Sequence, residues 1–306
     1  MSLTIENNIL MKNGKPFFYL ADTCWSAFTN IKDNDWDYYL DYRKSQGFNT
    51  LQINILPQWD ASATDLCYEP FEVIDGKYNY KKLNLSYFEH ADKMCARAKE
   101  KGFELALVIM WCNFVPDTWA SQFYSKGIMP IDCIDNYINI IHETFTKYEP
   151  LYIISGDTDF NTEQCIEYYV KCAKQIKELA PNCLYTTHIK GRYTYIPDNL
   201  YSYLDLCFYQ SGHNAQNLGM PYLLAEEMAD KYKGKPVINS EPCYEDMGYS
   251  RQMYGRWSKE DIIRAAWMSL LSGASAGITY GLGLIYLVVT KTISIAIPAA
   301  YVGSMF

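Results

Sequence analysis

Two carboxylates lie directly after apolar segments of the chain, at positions where paired acids could carry out a reaction. Asp157 closely follows residues 151–155, and Glu241 comes immediately after residues 236–240. A retaining glycosidase needs one carboxylic acid to protonate the leaving oxygen and one carboxylate to attack the anomeric carbon, about 5–5.5 Å apart. The sequence therefore predicts Asp157 and Glu241 as a working pair. For each acid, an ion pair with Arg or Lys at a strand end is the alternative.

Asp159 competes with Asp157 for the first of these positions. In a regular strand, residues two apart point to the same face. Gly156 favours a bend between the strand and the two acids. We predict that Asp157 works as the acid because it lies nearer the strand end, and that Asp159 supports it or caps the following helix.

Eight apolar segments separated by helical patterns predict the strands that must position these acids. Near-continuous apolar runs are typical of parallel strands that are buried on both faces. The predicted strands are residues 17–21, 50–56, 104–111, 151–155, 183–188, 204–210, 236–240 and 274–280.

Helices are predicted between most of the strands. Gly47 and Gly102 are typical C-terminal stop residues, and Ser86-x-x-Glu89 has the spacing of a capping box. The predicted helices are residues 33–46, 86–101, 132–148, 162–179, a helix that begins at Pro221, and 258–272.

Eight strands alternating with helices predict a single-domain (β/α)8 barrel of the α/β class. The alternative is an open, doubly wound sheet, which normally has a glycine-rich phosphate loop after its first strand. Here that position reads Ala21-Asp22-Thr23-Cys24-Trp25, without glycine. The barrel is therefore favoured.

In such a barrel, catalytic and binding groups project from the C-terminal ends of the strands. Polar and aromatic residues follow seven of the eight predicted strands, which indicates a binding site at that end. The predicted substrate-binding residues are Asp22, Trp25, Gln52, Asn54, Trp111, His188, Tyr209, Gln210, His213, Tyr244, Glu245 and Tyr280.

Other chemistries find less support in the sequence. The four histidines have no H-x-H or H-E-x-x-H spacing, so we expect neither a metal nor an organic cofactor. No serine-centred nucleophile elbow is present. A lyase or aldolase would need a lysine at a strand exit, and Lys190 is the nearest candidate.

Composition narrows the possible partners and the location. A net charge of −8 without a Lys/Arg-rich run argues against nucleic acid, and the 16% aromatic content favours a carbohydrate ligand. Ten cysteines without a C-x-x-C pair indicate reduced thiols. Together with a first segment that does not resemble a secretory signal, they predict a cytoplasmic protein, monomeric or weakly oligomeric.

The last segment differs in composition from the rest of the chain. Residues 282–306 carry one charge, Lys291, and their apolar run is too interrupted to predict a membrane span. We therefore predict a catalytic domain over residues 1–281 and an atypical apolar tail over residues 282–306. Such a tail should pack poorly, stay exposed, or lie against another chain.

Several of these segments, in their order along the chain, also resemble a known family, the apiosidase-like glycoside hydrolases with a (β/α)8 catalytic domain. The resemblance implies Asp157 as acid/base, Glu241 as nucleophile and a plant-type glycan as substrate. A carbohydrate-binding barrel without catalysis is the alternative. The resemblance covers residues 12 to 281 and rests on Ala21-Asp22-Thr23-Cys24-Trp25, Ser155-Gly156-Asp157, Tyr209-Gln210-Ser211-Gly212-His213, Glu241-Pro242-x-Tyr244-Glu245, Arg264-Ala265-Ala266-Trp267, Ser272-Gly273-Ala274 and Thr279-Tyr280-Gly281.

Overall fold

The computed structural model of the protein describes residues 3–59 and 69–283. Apart from residues 282 and 283, the predicted apolar tail lies outside the described residues. Eight parallel strands form the central sheet, and only these barrel strands are numbered here. They are β1 Tyr19–Thr23, β2 Thr50–Asn54, β3 Glu104–Trp111, β4 Leu151–Gly156, β5 Leu184–Thr186, β6 Cys207–Tyr209, β7 Val237–Asn239 and β8 Gly277–Tyr280.

The strands run side by side in the order β5-β4-β3-β2-β1-β8-β7-β6, and every neighbouring pair is parallel. β8 pairs with β1 from Gly277↔Tyr19 to Tyr280↔Asp22, which joins the first and last strands of the barrel. At the remaining seam, the Asp205 N–H donates to the Tyr185 carbonyl over 2.8 Å. The sheet is therefore a nearly closed barrel, and the predicted (β/α)8 fold is confirmed.

Helices alternate with the strands and cover the outside of the barrel. None of those in the described part of the chain is long and apolar enough to cross a membrane. The helices are α1 Ala27–Asn30, α2 Asp33–Ser45, α3 Leu85–Glu100, α4 Ile134–Phe145, α5 Glu163–Leu179, α6 Asp198–Tyr201, α7 Met220–Lys231 and α8 Lys259–Leu271.

Local details differ from the prediction at a few points. The capping box predicted at Ser86 is absent, because α3 already begins at Leu85 after Asn84 and its N-cap makes no side-chain hydrogen bond. A complete capping box is formed instead by Ser258 and Asp261 at the start of α8. Two small sheets were not predicted: the three-stranded Leu3–Glu6, Ile9–Lys12, Lys15–Pro16 sheet and the hairpin Phe71–Ile74 with Lys77–Leu83.

The barrel strands are buried on both faces, as their apolar runs predict. All eight residues of β3 are buried, because side chains of one parity fill the barrel and those of the other pack under the helices. Nine cysteines, all those in the described residues, are free and buried. The prediction of unpaired thiols agrees with this arrangement.

Candidate active site

The end of β4 sets the position of the first carboxylate. A Cβ added to Gly156 would lie 2.1 Å from Cε3 of Trp111, so only glycine fits there. Asp157 follows with φ of 51°, in the left-handed region that Asp tolerates better than most residues. Its carbonyl accepts a 2.7 Å hydrogen bond from Trp119 Nε1. The predicted bend at Gly156 is therefore present, and it fixes the backbone of Asp157.

Glu241 follows β7 and is held by two histidines. His188 Nε2 lies 3.0 Å from Glu241 Oε2, and His213 Nε2 lies 2.8 Å from Oε1. The Glu241 side chain is only 13% exposed. Burial alone would raise the pKa of Glu241, but the hydrogen bonds from both histidines and their charges lower it to about 2. The carboxylate is therefore ionised across the ordinary working range of an enzyme.

The contacts of His188 assign its hydrogen-bonding roles. A carboxylate only accepts hydrogen bonds, so His188 must present N–H at Nε2 to Glu241. Its Nδ1 lies 2.9 Å from Ser240 Oγ. The same hydroxyl donates to the Tyr209 carbonyl over 3.1 Å, so Ser240 is itself held in place. Ser240 and Glu241 therefore contact opposite sides of the ring, which orients His188 toward Glu241.

Gln210 bonds Asp157 and lies close to His188, the partner of Glu241. Its Nε2 donates to Asp157 Oδ1 over 2.5 Å and to the Ile189 carbonyl over 2.8 Å. The same nitrogen lies 3.5 Å from His188 Nε2, which in turn contacts Glu241. This proximity places Asp157 and Glu241 in one site at the C-terminal ends of β4 to β7.

Aromatic rings surround the histidines. His188 packs against Trp25 and Trp111, with ring centroids at 5.4 and 5.6 Å, and the two tryptophans also contact each other at 5.4 Å. Trp25 Nε1 donates to the Tyr244 hydroxyl over 2.8 Å, and the Tyr244 ring meets His213 edge-on at 4.5 Å. Burial, followed by the charge of Glu241, raises the pKa of Tyr244, so this hydroxyl keeps its proton. The packing holds both imidazoles in fixed orientations.

Several buried polar atoms at the ends of β2 and β3 have no hydrogen-bond partner among the described residues. They are both amide atoms of Asn54, Nε1 of Trp111 and both amide atoms of Asn113. Buried polar groups are rarely left unpaired unless water or a ligand pairs with them. Of these residues, Asn54 and Trp111 are predicted substrate-binding residues, and Asn113 is a further candidate.

Four predicted substrate-binding residues do not lie with the carboxylates. Asp22 bonds Tyr39 and, over 2.6 Å, Arg43 Nε, both on α2. The Tyr280 hydroxyl donates to Glu245 over 2.6 Å, and the Tyr280 ring packs near Arg43. Glu245 and Tyr280 therefore lie on the Arg43 side of β8. The Tyr209 hydroxyl donates to the Pro221 carbonyl at α7 over 2.8 Å.

The directions of the Asp22 and Tyr280 side chains follow from the alternation of side chains in a strand. Asp22 and Tyr280 are direct partners in the β1–β8 register, and both face the helical layer instead of the barrel mouth. Gln52 points into the barrel, below the mouth. It accepts a hydrogen bond from the Tyr19 hydroxyl and donates to the Ser240 carbonyl over 3.0 Å. In the folded barrel, Asp22, Tyr209, Glu245 and Tyr280 thus contact one another or the helices α2 and α7, and Gln52 supports Ser240 from below.

Asp159 is occupied by an ion pair. Its Oδ2 lies 3.0 Å from Lys190 Nζ, while the Asp159 side chain is buried. This agrees with a supporting position for Asp159. The pairing also engages the lysine that a lyase or aldolase would have needed. Among the residues described, no group of three or more His, Cys, Asp or Glu side chains could hold a metal ion.

Three residues that shape the site were not among the predicted site residues. Ser240 orients His188, Trp119 holds the backbone of Asp157, and Asn113 presents an unpaired buried amide. Asn113 follows a predicted strand by two residues, which was a usable signal. Trp119 lies in a long loop, and its position depends on tertiary contacts that no local pattern encodes.

A (β/α)8 barrel with carboxylates at the ends of β4 and β7 has the architecture of the barrel glycoside hydrolases. The sequence profile of the apiosidase-like catalytic domain matches residues 5–298. The chain therefore belongs to the apiosidase-like family of glycosidases. No curated protein sequence matches it significantly.

Solved structures agree with this class. A structure described as a glycoside hydrolase is 25% identical with a TM-score of 0.78, covering 95% of this chain and 67% of that one. A family 5 glycoside hydrolase from Bacteroides vulgatus ATCC 8482 is also 25% identical, with a TM-score of 0.79 and coverage of 96% and 65%. This chain thus spans about two thirds of both relatives. An endo-1,4-β-D-mannanase from Thermotoga petrophila RKU-1 shares the fold at 15% identity, covering 87% and 88%, with a TM-score of 0.56.

Proposed function

We propose that this chain is a retaining glycosidase that cleaves plant-type glycans or oligosaccharides, with Asp157 as acid/base and Glu241 as nucleophile. The observation that carries the proposal is the pair of histidines that keeps Glu241 ionised beside Asp157. A nucleophile must be deprotonated, and a pKa of about 2 meets that requirement. The plant-type substrate rests on the family resemblance.

The two carboxylates take complementary parts in the reaction. Asp157 donates its proton to the glycosidic oxygen while Glu241 attacks the anomeric carbon, which forms a glycosyl ester and releases the leaving group. Asp157, now a carboxylate, then takes a proton from water as that water attacks the same carbon. The ester breaks, and Glu241 leaves as the carboxylate. The configuration of the sugar is retained.

Gln210 and the two histidines prepare this reaction. Gln210 holds Asp157 Oδ1 over 2.5 Å, which restricts the rotation of the acid. His188 and His213 bind both oxygens of Glu241, which fixes the plane of the nucleophile. Orienting both groups before substrate binds lowers the entropic cost of reaching the transition state.

The test is the stereochemistry of hydrolysis, followed by NMR on a panel of aryl glycosides and plant oligosaccharides. The first-formed product should have the anomeric configuration of the substrate. Glu241→Gln should lower kcat by at least ~10⁴-fold, a loss typical of removing a nucleophile. Asp157→Asn should spare substrates with good leaving groups, because these need little protonation.

Asp159→Asn serves as the matched control, since Asp159 lies two residues beyond Asp157 and pairs with Lys190. It should not alter the dependence on the leaving group. An inverted product, or equal losses on activated and natural substrates in Asp157→Asn, would contradict the proposed roles.

A further inference from the structure

Three aromatic side chains form a shelf beside Asp157. Trp59 meets Trp119 edge to face, with ring centroids 5.5 Å apart and an interplanar angle of 89°. Trp59 also packs against Phe123, at 5.9 Å and 35°. Trp59 and Trp119 are half-buried, whereas Phe123 is 48% exposed. We call Trp59, Trp119 and Phe123 the aromatic shelf.

The shelf is tied to the acid and not to the nucleophile. Trp119 Nε1 donates to the carbonyl of Asp157 over 2.7 Å, so the ring and the acid share one fixed piece of backbone. The rings next to Glu241 are a different set, formed by Trp25, Trp111 and Tyr244 around the two histidines. The site therefore has two aromatic groups, and the shelf is the one that is hydrogen-bonded to the backbone of Asp157.

We propose that the aromatic shelf binds the sugar ring on the leaving-group side of the scissile bond. The inference rests on the proposed function, because it takes Asp157 as the acid. An acid must contact the glycosidic oxygen, and the leaving sugar is attached to that oxygen. Rings anchored to the backbone of Asp157 are therefore next to the leaving sugar, while the sugar that is attacked lies against Glu241.

The chemistry of the shelf fits a sugar ring. A pyranose or furanose presents C–H groups on one face and hydroxyls around its edge. The C–H face packs on an aromatic ring, and the hydroxyls stay in water or find polar partners. Gln122, next to Phe123, is exposed and donates to the Trp119 carbonyl over 3.1 Å, so a polar group borders the shelf.

Phe123 is the residue to test, because Trp119 also holds the backbone of Asp157. Two kinds of probe separate the two sides of the bond. Glycosyl fluorides of arabinose, xylose, galactose, glucose, rhamnose and apiose carry no leaving sugar and need little acid assistance. Plant oligosaccharides with the same terminal sugars do carry one. The pair that the unmodified protein cleaves fastest is used for the variants.

Phe123→Ala should lower kcat/KM for the oligosaccharide by about 10-fold, mostly through KM, since one aromatic contact in binding has roughly that effect. The fluoride should be hydrolysed within about 2-fold of the unmodified rate. Phe123→Tyr should restore the oligosaccharide rate, because it keeps the ring. Trp267→Ala, which removes an aromatic on α8 that is 59% exposed, should change neither rate.

The possible outcomes test this inference and the proposed function separately. If the unmodified protein cleaves no member of either panel, the proposed function fails. If it cleaves both and Phe123→Ala lowers both rates equally, or lowers neither, the shelf does not bind the leaving sugar. A selective loss on the oligosaccharide that Phe123→Tyr repairs supports the shelf.

Discussion

Ser240 Oγ lies 2.9 Å from Nδ1 of His188, on the side of the imidazole opposite Glu241. The hydroxyl belongs to the residue just before Glu241, so β7 supplies both the nucleophile and the group that orients its partner. A carboxylate only accepts hydrogen bonds, so Nε2 of His188 must carry the N–H that faces Glu241, and the contact at Nδ1 holds the ring in that orientation. Ser240 therefore acts on Glu241 through His188, as a positioning residue.

Ser240→Ala tests this relationship. Without the hydroxyl, Nδ1 of His188 loses its hydrogen-bond partner and the ring is held less firmly, which weakens its hydrogen bond to Glu241. We expect kcat/KM to fall by about 10-fold, the equivalent of one hydrogen bond of about 1–1.5 kcal/mol. Tyr185→Phe removes another buried hydroxyl, which donates to the Ala180 carbonyl after α5, and should cost stability alone. Equal activity in both variants would contradict the role of Ser240.

His213 gives a test based on pH. Its Nε2 hydrogen bond is one of the contacts that hold the pKa of Glu241 at about 2. His213→Leu removes this donor, so the pKa of Glu241 should rise by about one unit or more, because a hydrogen bond to a charge contributes roughly 1.5–3 kcal/mol. Glu241 works only when ionised, so its protonation then reduces activity at a higher pH.

The measurement is the acid limb of kcat/KM, which reports groups of the free enzyme. In His213→Leu the limb should move upward, and His213→Gln, which keeps an N–H donor, should move it less. An acid limb at the same pH in all three proteins would exclude His213 from setting this pKa.

Most of the barrel could be predicted because its strands are buried on both faces, and buried parallel strands are continuous apolar runs. The site positions of Asp157, His188, His213 and Glu241 followed from that, since each comes just after such a run. The predicted segments were too long at 183–188 and 204–210, where the strands are only Leu184–Thr186 and Cys207–Tyr209.

The direction of individual side chains could not be predicted in the same way. A continuous apolar run does not show which parity faces the barrel, and register is set by pairing with neighbouring strands. Asp22 was therefore expected at the mouth although it faces α2. The contacts of Ser240 and Trp119 join residues far apart in sequence, so they exist only once the barrel closes.

Gly156 allows a prediction about the backbone of the acid. A methyl group there would overlap the Trp111 ring, whose Cε3 would be 2.1 Å away. Gly156→Ala should lower the free energy of unfolding by about 1–3 kcal/mol, as overpacking does, and should reduce kcat/KM because Trp111 stacks on His188. In a Trp111→Leu background the same substitution should cost less, which a double-mutant cycle by urea denaturation would measure. An unchanged cost there would mean that the ring is not the obstacle.

Asp22 and Arg43 form a buried ion pair between β1 and α2. Arg43 Nε lies 2.6 Å from Asp22 Oδ2, and the two side chains are 3% and 0% exposed. Arg43→Met keeps much of the volume but leaves a carboxylate buried with the Tyr39 hydroxyl and without its counter-charge. Removing one partner of a buried ion pair lowers the free energy of unfolding by about 3–5 kcal/mol, which urea denaturation would detect.

Arg97→Met is the matched control, because the Arg97–Asp37 pair also joins neighbouring helical elements but lies in solvent, with side chains 44% and 45% exposed. Its urea midpoint should barely move, since water and salt already screen that pair. Arg43→Met combined with Asp22→Asn should recover part of the loss, because the buried charge is then gone. If Arg43→Met and Arg97→Met shifted the midpoint equally, Asp22 would not need its arginine in the folded barrel. Substrate contact would then again be the better explanation for a carboxylate at that strand end.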